Sequence, residues 1–571
     1  HPLSNTTGAV LDPIISLRRR VKINPGKVVV VSFFTGVAET REQALEWAEK
    51  YHETAALERA FELAWTRSQV EDGYLGLKAN EVKAAQELIP HITFLSPLRK
   101  RYGEIYCQNK KGQQGLWAYG VSGDLPIVLL RVKQAEDISI VRSMLKIHEY
   151  LRFKGLKVDL VILNEEEAGY FQSLHELIRE AISVSHARDI QDRPGGVFLR
   201  NANTMPPEDL TLFMTVARII LTGENGPILS QLKITEAEQP SLPGEKIFSQ
   251  APTDYVSRDE LPELVYYNGY GGFTPDGREY VIRLKDRIET PAPWINVVAN
   301  PDFGFIISES GSGYVWAENS RENKITPWFN DPVTNPPGEI VYLRDDETGE
   351  IWSPTPLPMR KDDSYTVRHG LGYSSFQHHS HGVDQGMTVF VPVDDPVKIS
   401  LVKLKNTSKT RRRLSLTYFV QTVLGVSEQA ADQYISTEAT DSGALHIRNS
   451  YNTDFPGRVV FIDCSEKISS FTGDRSEFIG AGGDIKNPQA LKREGLSNRV
   501  GCGLLPCAAI QLSFELEPGM EKEVVLLLGQ GKNQEDARRI AARYRDLTVS
   551  QSALEEAKRF WLNKVGIVQV R

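Results

Sequence analysis

At 571 residues the chain is longer than one hydrophobic core serves, so two or three domains are expected. A content of 40% hydrophobic and 25% charged residues excludes a disordered or fibrous chain, and a formal charge of −8 argues against nucleic acid as a partner. The longest apolar runs, such as DLPIVLLRV at 124–132, fall short of the roughly 20 residues that cross a bilayer, and the N-terminus lacks the pattern of a signal peptide.

The first element is one copy of a repeat. Leu3 to Tyr51 aligns without a gap to Leu496 to Tyr544 at a constant offset of 493, with 14 identities over 49 positions. The shared residues include Pro25-Gly26 with Pro518-Gly519, Gly36 with Gly529 and Tyr51 with Tyr544. In both copies an alternating strand runs to a Pro-Gly turn, a second strand follows, and an amphipathic helix comes next. This reads as the closing unit of a β-domain. A long stretch of strand-like sequence precedes the second copy and none precedes the first. Residues 1–54 are therefore expected to be the C-terminal remnant of a first β-sandwich plus its helix, in a piece of a longer protein. The alternative, a self-sufficient hairpin and helix, would be marginal alone.

Residues 55–235 predict a helical linker and a small α/β domain. Ala55 to Gln86 reads as helix with Leu57, Ala60, Phe61, Ala64 and Trp65 on one face. Next come a buried strand LPIVLLRV and a helix with Val141, Met144, Leu145, His148 and Leu151 inward, stopped by Gly155. The strand KVDLVILN, a helix from Glu165 to Ser183, the strand GGVFLRNA and a helix opened by Pro206-Pro207 complete a βαβαβα pattern. No Gly-rich phosphate turn follows any of these strands, so no nucleotide or other cofactor is assigned. His148 and His175 read as packed or surface residues.

Polar, proline-bearing residues 236–265 form a linker. Residues 266–545 then carry short strands and turns with little helical periodicity, which predicts a large antiparallel β-sandwich. VKISLVKLKN and RLSLTYFVQTVLG are expected to pair as a hairpin around TSKTRR. The basic clusters SLRRRVK and KTRRRLS read as solvated strand faces or turns. Residues 546–571 form a linker helix. Cys107, Cys464, Cys502 and Cys507 show no metal-ligand spacing and suit a reducing compartment, with unpaired thiols.

The loop GYVWAENSRENKITPWFNDPVTNPPGE, Gly313 to Glu339, concentrates the residue types that hold sugars. Indole faces of Trp316 and Trp328 suit the weakly apolar faces of pyranose rings, and Asn319, Arg321, Glu322, Asn330 and Asp331 supply planar polar groups for hydroxyls. GEIWSPTPLP adds Trp352 in a similar setting. The competing reading is that these aromatics and prolines plug one end of the sandwich. In RHGLGYSSFQHHSHGVD, His379 and His381 on a strand would face one way and suit zinc, but no further ligands accompany them, so no metal is assigned. No carboxylate pair and no Ser, His and Asp set stands out as catalytic.

NGYGGFTPDGREYVI, TPAPWINVVANPDFGFIISESGSGYVWAENSRENKITPWFNDPV, YTVRHGLGYSSF and FVPVDDPVKISLVKLKN resemble the N-terminal sandwich of the cellobiose-phosphorylase-like enzymes. The large bacterial cyclic β-1,2-glucan synthases are the nearest likeness. The resemblance implies a mainly β protein with an α/β part: a galactose-mutarotase-like supersandwich preceded by a small α/β domain and the closing strands and helix of a second sandwich. It implies that the catalytic acid sits on an α/α barrel after residue 571, so no catalytic residue is assigned here. The loops around Trp316 to Asp331 and around Arg368, His369 and Tyr373 become the expected sugar contacts. The implied partners are a β-1,2-linked glucan, other domains of the same polypeptide and, as a candidate, a second copy in a homodimer. The implied location is the cytoplasmic side, as a soluble part of an inner-membrane-associated bacterial enzyme. The expected function is carbohydrate binding without catalysis in a cyclic β-1,2-glucan synthase. The alternatives are a scaffold that positions catalytic domains, or a transglycosylase or phosphorylase active by itself.

Overall fold

The computed structural model describes residues 3–10, 13–167, 173–234, 242–248, 263–285, 288–360, 363–480 and 483–565. The chain divides into two compact units: His1–Pro90 with Leu130–Asn203 and Leu221–Lys233, and His91–Leu129 with Thr204–Ile220 and Ile234–Arg571. Most of the linker expected over 236–265 lies outside the described residues.

In the first unit, residues 13–38 carry no assigned strand and are exposed almost throughout. Helix α1 (Arg41–Tyr51) is capped by Thr40, whose side chain accepts from the Gln43 N–H. The helix expected over 55–86 is two helices, α2 (Thr54–Leu75) and α3 (Ala79–Thr93), because Gly76 takes a left-handed φ of 57° that ends α2. Phe61 and Trp65 of the expected inward face are exposed.

Strands β1 (Ile127–Val132), β2 (Asp159–Asn164), β3 (Val197–Asn201) and β4 (Ala217–Thr222) lie in the order β3-β2-β1-β4, with β2 and β3 parallel. Helix α4 (Ile138–Phe153) buries Val141, Met144, Leu145, His148 and Leu151 as its periodicity predicts. His148 Nε2 lies 2.8 Å from the Val158 carbonyl, and burial pushes its pKa down to about 4, so it is a packed neutral imidazole. Helix α5 (Ser173–Ser183) starts later than the expected Glu165. Helix α6 (Pro207–Val216) has Pro207 in its first turn, as expected, and runs directly into β4, a strand the pattern did not suggest.

The second unit carries the sandwich. Its strands are β5 (Gly271–Phe273), β6 (Glu279–Leu284), β7 (Ile295–Ala299), β8 (Phe303–Ser308), β9 (Gly313–Ala317), β10 (Glu339–Asp345), β11 (Ile351–Trp352), β12 (Tyr365–Gly370) and β13 (Tyr373–Ser380). After them come β14 (Val383–Phe390), β15 (Val397–Asn406), β16 (Arg412–Gln421), β17 (Ile435–Ala439), β18 (Leu445–Asn449), β19 (Val459–Cys464), β20 (Ser470–Asp474), β21 (Pro506–Leu516) and β22 (Glu521–Gly531). A ten-stranded sheet, β17-β18-β19-β22-β15-β14-β13-β12-β6-β5, faces a five-stranded one, β11-β10-β16-β21-β20, and β7-β8-β9 form a third sheet. Leu343, Leu416, Leu512, Phe376, Val402, Leu526 and Phe305 belong to one core cluster drawn from all three sheets. Helix α7 (Gln534–Tyr544) packs Ala537, Ile540 and Tyr544 on the outer face of the large sheet, against Phe461 and Leu527, and α8 (Leu547–Val565) follows.

Three expectations are corrected. The segments read as a hairpin around TSKTRR, β15 and β16, belong to different sheets: β15 pairs with β14 and β22, β16 with β10 and β21. Each is paired on both edges within its own sheet, so neither has an edge left for the other. Within KTRRRLS, Arg411 and Arg413 do face outward, each paired with Glu515. Arg412 turns inward by the two-residue period of the strand and is buried with Asp345, donating to its Oδ2 through Nε at 2.8 Å and to the His381 carbonyl at 2.6 Å. Cys107 and Cys502, expected as thiols, form a disulfide, whereas Cys464 and Cys507 are free and buried.

Arg412→Ala would leave the Asp345 charge buried without its partner. The expected loss is roughly 3–5 kcal/mol of unfolding free energy, read from urea denaturation, while Arg411→Ala at the exposed neighbour changes it by under about 1 kcal/mol.

Candidate functional site

The small sheet β7-β8-β9 has two unlike faces. Val298, Phe303, Phe305, Ile307, Val315 and Ala317 point into the core. By alternation, Ile295, Val297, Ile306, Tyr314 and Trp316 share the other face, where the register places Ile306 opposite Val297 and Tyr314, and Gly304 opposite Trp316. Ile295 and Val297 are 49% and 56% exposed, and the other three are half-buried. Gly304 is required there, since a Cβ would lie 2.5 Å from the Trp316 ring.

Tyr314 stands between two indoles, its centroid 5.2 Å from Trp316 and 4.9 Å from Trp328. Trp328, brought back over the sheet by the following loop, is 41% exposed. The three rings thus make a continuous aromatic platform beside the aliphatic residues of β7 and β8. Stacked or tilted aromatics of this kind offer apolar faces with polar edges.

The polar residues of the loop divide into two roles. Asn319 Oδ1 accepts from the backbone N–H groups of Arg321 and Glu322, both at 2.9 Å. Asp331 accepts from the N–H groups of Val333 and Thr334 and from the Thr334 hydroxyl, and these bonds hold its pKa below the usual carboxylate range. Both residues therefore shape turns. Arg321 and Asn330 face solvent beside the platform, Arg321 with Glu322 at 3.4 Å. Trp352 stands apart: it is 2% exposed in the core, stacked on His381 at 4.2 Å, and its Nε1–H donates to Gln385. It packs the sandwich and reaches no surface.

Arg368, His369 and Tyr373 form a second group on β12 and β13. Arg368 Nη1 donates to Glu279 at 3.0 Å, and the Tyr373 hydroxyl donates to the other oxygen of the same carboxylate. Asn296 on β7 donates to the carbonyls of Gly370 and Tyr373, which ties the small sheet to this group. Tyr373 lines a cleft of about 730 Å³ with Asp276, Arg278, Glu279, Glu555, Lys558 and Arg559. Lys558 Nζ lies 4.8 Å from the Tyr373 ring centre. The carboxylates and cations of this lining balance, which suits a neutral polyhydroxylated ligand better than a strong anion.

His369 does not line the cleft. Its Nδ1 lies 2.9 Å from Ser374 Oγ, and burial pushes its pKa down to about 4, so it is neutral near pH 7. The other histidines do not form the strand pair imagined for zinc. The strand ends at Ser380, and His381 sits in a turn at φ 53°, stacked on Trp352, while His379 bonds Asp384. Among the described residues no three His, Cys, Asp or Glu groups converge as a metal site. Sequence reasoning missed Tyr314, Ile295, Val297, Glu279 and Lys558. Tyr314 could have been found, because its two-residue spacing from Trp316 puts both on one strand face.

The model of the glycosyl hydrolase 94 supersandwich domain matches residues 1–54 and 278–547. The chain is 32% identical over its whole length to the cyclic beta-(1,2)-glucan synthase NdvB of Rhizobium meliloti (strain 1021), of which it spans 20%. It is 32% identical over 53% of its length to the N,N'-diacetylchitobiose phosphorylase of Vibrio furnissii, and 28% identical over 48% to the solabiose phosphorylase of Paenibacillus borealis. It spans 38% and 36% of those two enzymes.

Because the folded-state pKa of His369 lies below the ordinary value of about 6.5, the unfolded chain takes up a proton between about pH 6.5 and 4 that the folded chain does not. Stability falls as pH drops through that window and is unaffected above it. His369→Gln should flatten the fall relative to the parent chain in thermal melts taken at pH 7, 6, 5 and 4.5.

Proposed function

The chain belongs to the glycosyl hydrolase 94 family through its supersandwich domain, and from that premise we propose that it is a carbohydrate-binding, non-catalytic part of an enzyme that makes or processes β-1,2-glucan. The observation that carries the binding reading is the exposed platform of Trp316, Tyr314 and Trp328, continued by Ile295 and Val297. A β-linked glucan chain presents alternating weakly apolar faces and hydroxyl edges. The rings take the faces, and Arg321, Glu322 and Asn330 at the rim take the hydroxyls.

The similarity to a cyclic β-(1,2)-glucan synthase over the full chain supports the choice of glucan, and the phosphorylase relatives support a role next to glycosidic-bond chemistry. The non-catalytic reading rests on the site itself. Asp331 is committed to a turn whose hydrogen bonds hold its pKa below the usual carboxylate range, the opposite of what an acid delivering a proton near neutral pH needs, and both oxygens of Glu279 are engaged by Arg368 and Tyr373. The charge-balanced cleft by Tyr373 provides a second place for the same glucan, joined to the platform through Asn296.

Linear β-1,2-glucan should bind with a dissociation constant near 1 mM, about −4 kcal/mol. Trp328→Ala should weaken it by several-fold, as expected for one ring contact of roughly 1 kcal/mol. Isothermal calorimetry at millimolar glucan measures both. Absence of heat with the parent chain would reject the binding reading in favour of a scaffold, and new oligosaccharides formed by the chain alone would reject the non-catalytic one.

A further inference from the structure

The Cys107–Cys502 bond is not what holds the sandwich together. Covalent staples belong to small domains with little core, whereas this sandwich draws one core cluster from three sheets. The repeat does not call for the bond either. At the constant offset of 493 the residue matching Cys502 is Ala9, so one copy has the sulfur and the other a methyl group. What the bond does hold is the segment that precedes β1. Residues Pro97–Tyr102 form a 3₁₀ turn capped by Ser96, whose side chain accepts from the Leu98 N–H, and Gly103–Tyr106 add one turn of helix. Together they bring Cys107 against the loop before β21.

Two backbones touch at this place. A Cβ on Gly103 would lie 2.7 Å from the Cys502 carbonyl oxygen, and one on Gly503 would lie 2.7 Å from the Arg99 carbonyl oxygen, so each chain passes the other over a glycine. The contact is polar as well as close. Arg99 is 2% exposed, and its guanidinium donates to the carbonyls of Thr215, Ala217 and Gln433. Among the described residues no carboxylate pairs with it, and its Nε and the Gln433 Oε1 are buried without a hydrogen-bond partner. Burial of a guanidinium and an amide oxygen with unmade hydrogen bonds opposes docking of the segment. Burial of Leu98, the Tyr106 ring at 4.3 Å from the guanidinium and the Lys100–Asp474 pair at 3.0 Å act in its favour. A covalent tether adds to these by keeping the two surfaces at high effective concentration.

The bond is open to attack from one side: Cys107 is exposed, whereas Cys502 is 8% exposed. Exchange needs a thiolate and access to a sulfur. The chain has no thiolate of its own to offer, because Cys464 and Cys507 are buried, and burial pushes the Cys464 thiol up to about 12 and the Cys507 thiol well above its ordinary value. The attacking group therefore comes from outside and meets Cys107 first. We propose that Cys107 is a thiol-exchange site and that the Cys107–Cys502 bond is a clasp, which low-molecular-weight thiols open to release residues 97–107 from the sandwich. The thiolate of a small thiol forms a bond to Cys107 Sγ and expels Cys502 as a thiolate, which takes up a proton. A second small thiol attacks the mixed disulfide and frees Cys107. The protein disulfide is reduced to two thiols, and two small thiols are oxidised to one small disulfide. This inference is independent of sugar binding.

The test uses the full oxidised chain, reduced glutathione at millimolar concentration and iodoacetamide labelling under native conditions. Cys107 and Cys502 should become labelled while Cys464 and Cys507 stay unlabelled, and peptide mass spectrometry after an acid quench should find the glutathione adduct on Cys107. Over the same period amides of residues 98–107 should lose hydrogen-exchange protection by about tenfold or more, with those of β15, β16 and β22 changed by less than about twofold. Cys107→Ser should show the same loss without glutathione and no further change with it. A bond that resists glutathione until the chain is denatured overturns the proposal, as does an adduct on Cys502 in place of Cys107. Residues 98–107 still protected in the reduced chain would mean that the bond is no clasp. Loss of protection in β15 and β22 along with residues 98–107 would make it a staple of the whole sandwich, and either result overturns the proposal.

Discussion

Two covalent corners hold the sandwich together. Residues 407–411 carry the chain from β15 in the large sheet to β16 in the small one, and 517–520 carry it from β21 back to β22. Each corner joins strands that are paired on both edges within their own sheets, so the two sheets are tied together through four interior strands. The Arg412–Asp345 pair lies beside the first corner and saturates the polar groups that such a crossing leaves inside. With the two main sheets fixed in this way, β7-β8-β9 needs only one face for the core and can leave the other to solvent.

That division explains what the sequence disclosed. Alternation of apolar residues placed β15, β16, β21 and β22, and the periodicity of Ile138–Phe153 identified the buried face of α4 together with its packed histidine. The pairing of strands was not legible. A short polar turn such as TSKTRR reads as a hairpin whether the chain returns to the same sheet or crosses to the facing one, because local sequence records the turn and not the neighbour. The apolar content on both faces of β15 and β16 was the available clue, since a hairpin at a sheet edge would have kept a polar side. The Cys107–Cys502 bond was equally hidden, for two thiols 395 residues apart carry no local sign of proximity.

At the site, sequence identified the right loop and mixed its roles. Trp316 and Trp328 meet across Tyr314, but Trp352, of the same residue type in a similar proline-rich setting, points inward. Composition measures what a segment contains, whereas strand parity decides which side chains reach water. Asn319 and Asp331 show the same limit. Their amide and carboxylate groups suit sugar hydroxyls in kind, yet backbone N–H groups of their own turns occupy them. The pairing of Glu279 with Arg368 and Tyr373 depends on the register of β6, β12 and β13 and could not be read from one strand alone.

The Cys107–Cys502 bond makes most of the chain a ring. Residues 108 to 501 include all of β1 to β20, so the α/β sheet and most of the sandwich are parts of one closed loop, with the first repeat copy on one tail and β21, β22 and α7 of the second on the other. A single protease cut anywhere in that loop yields one covalent molecule until a reductant opens it. The chain can thus be nicked between its functional segments without releasing them, and the tails that carry the two closing units stay joined through sulfur when the peptide backbone no longer connects them.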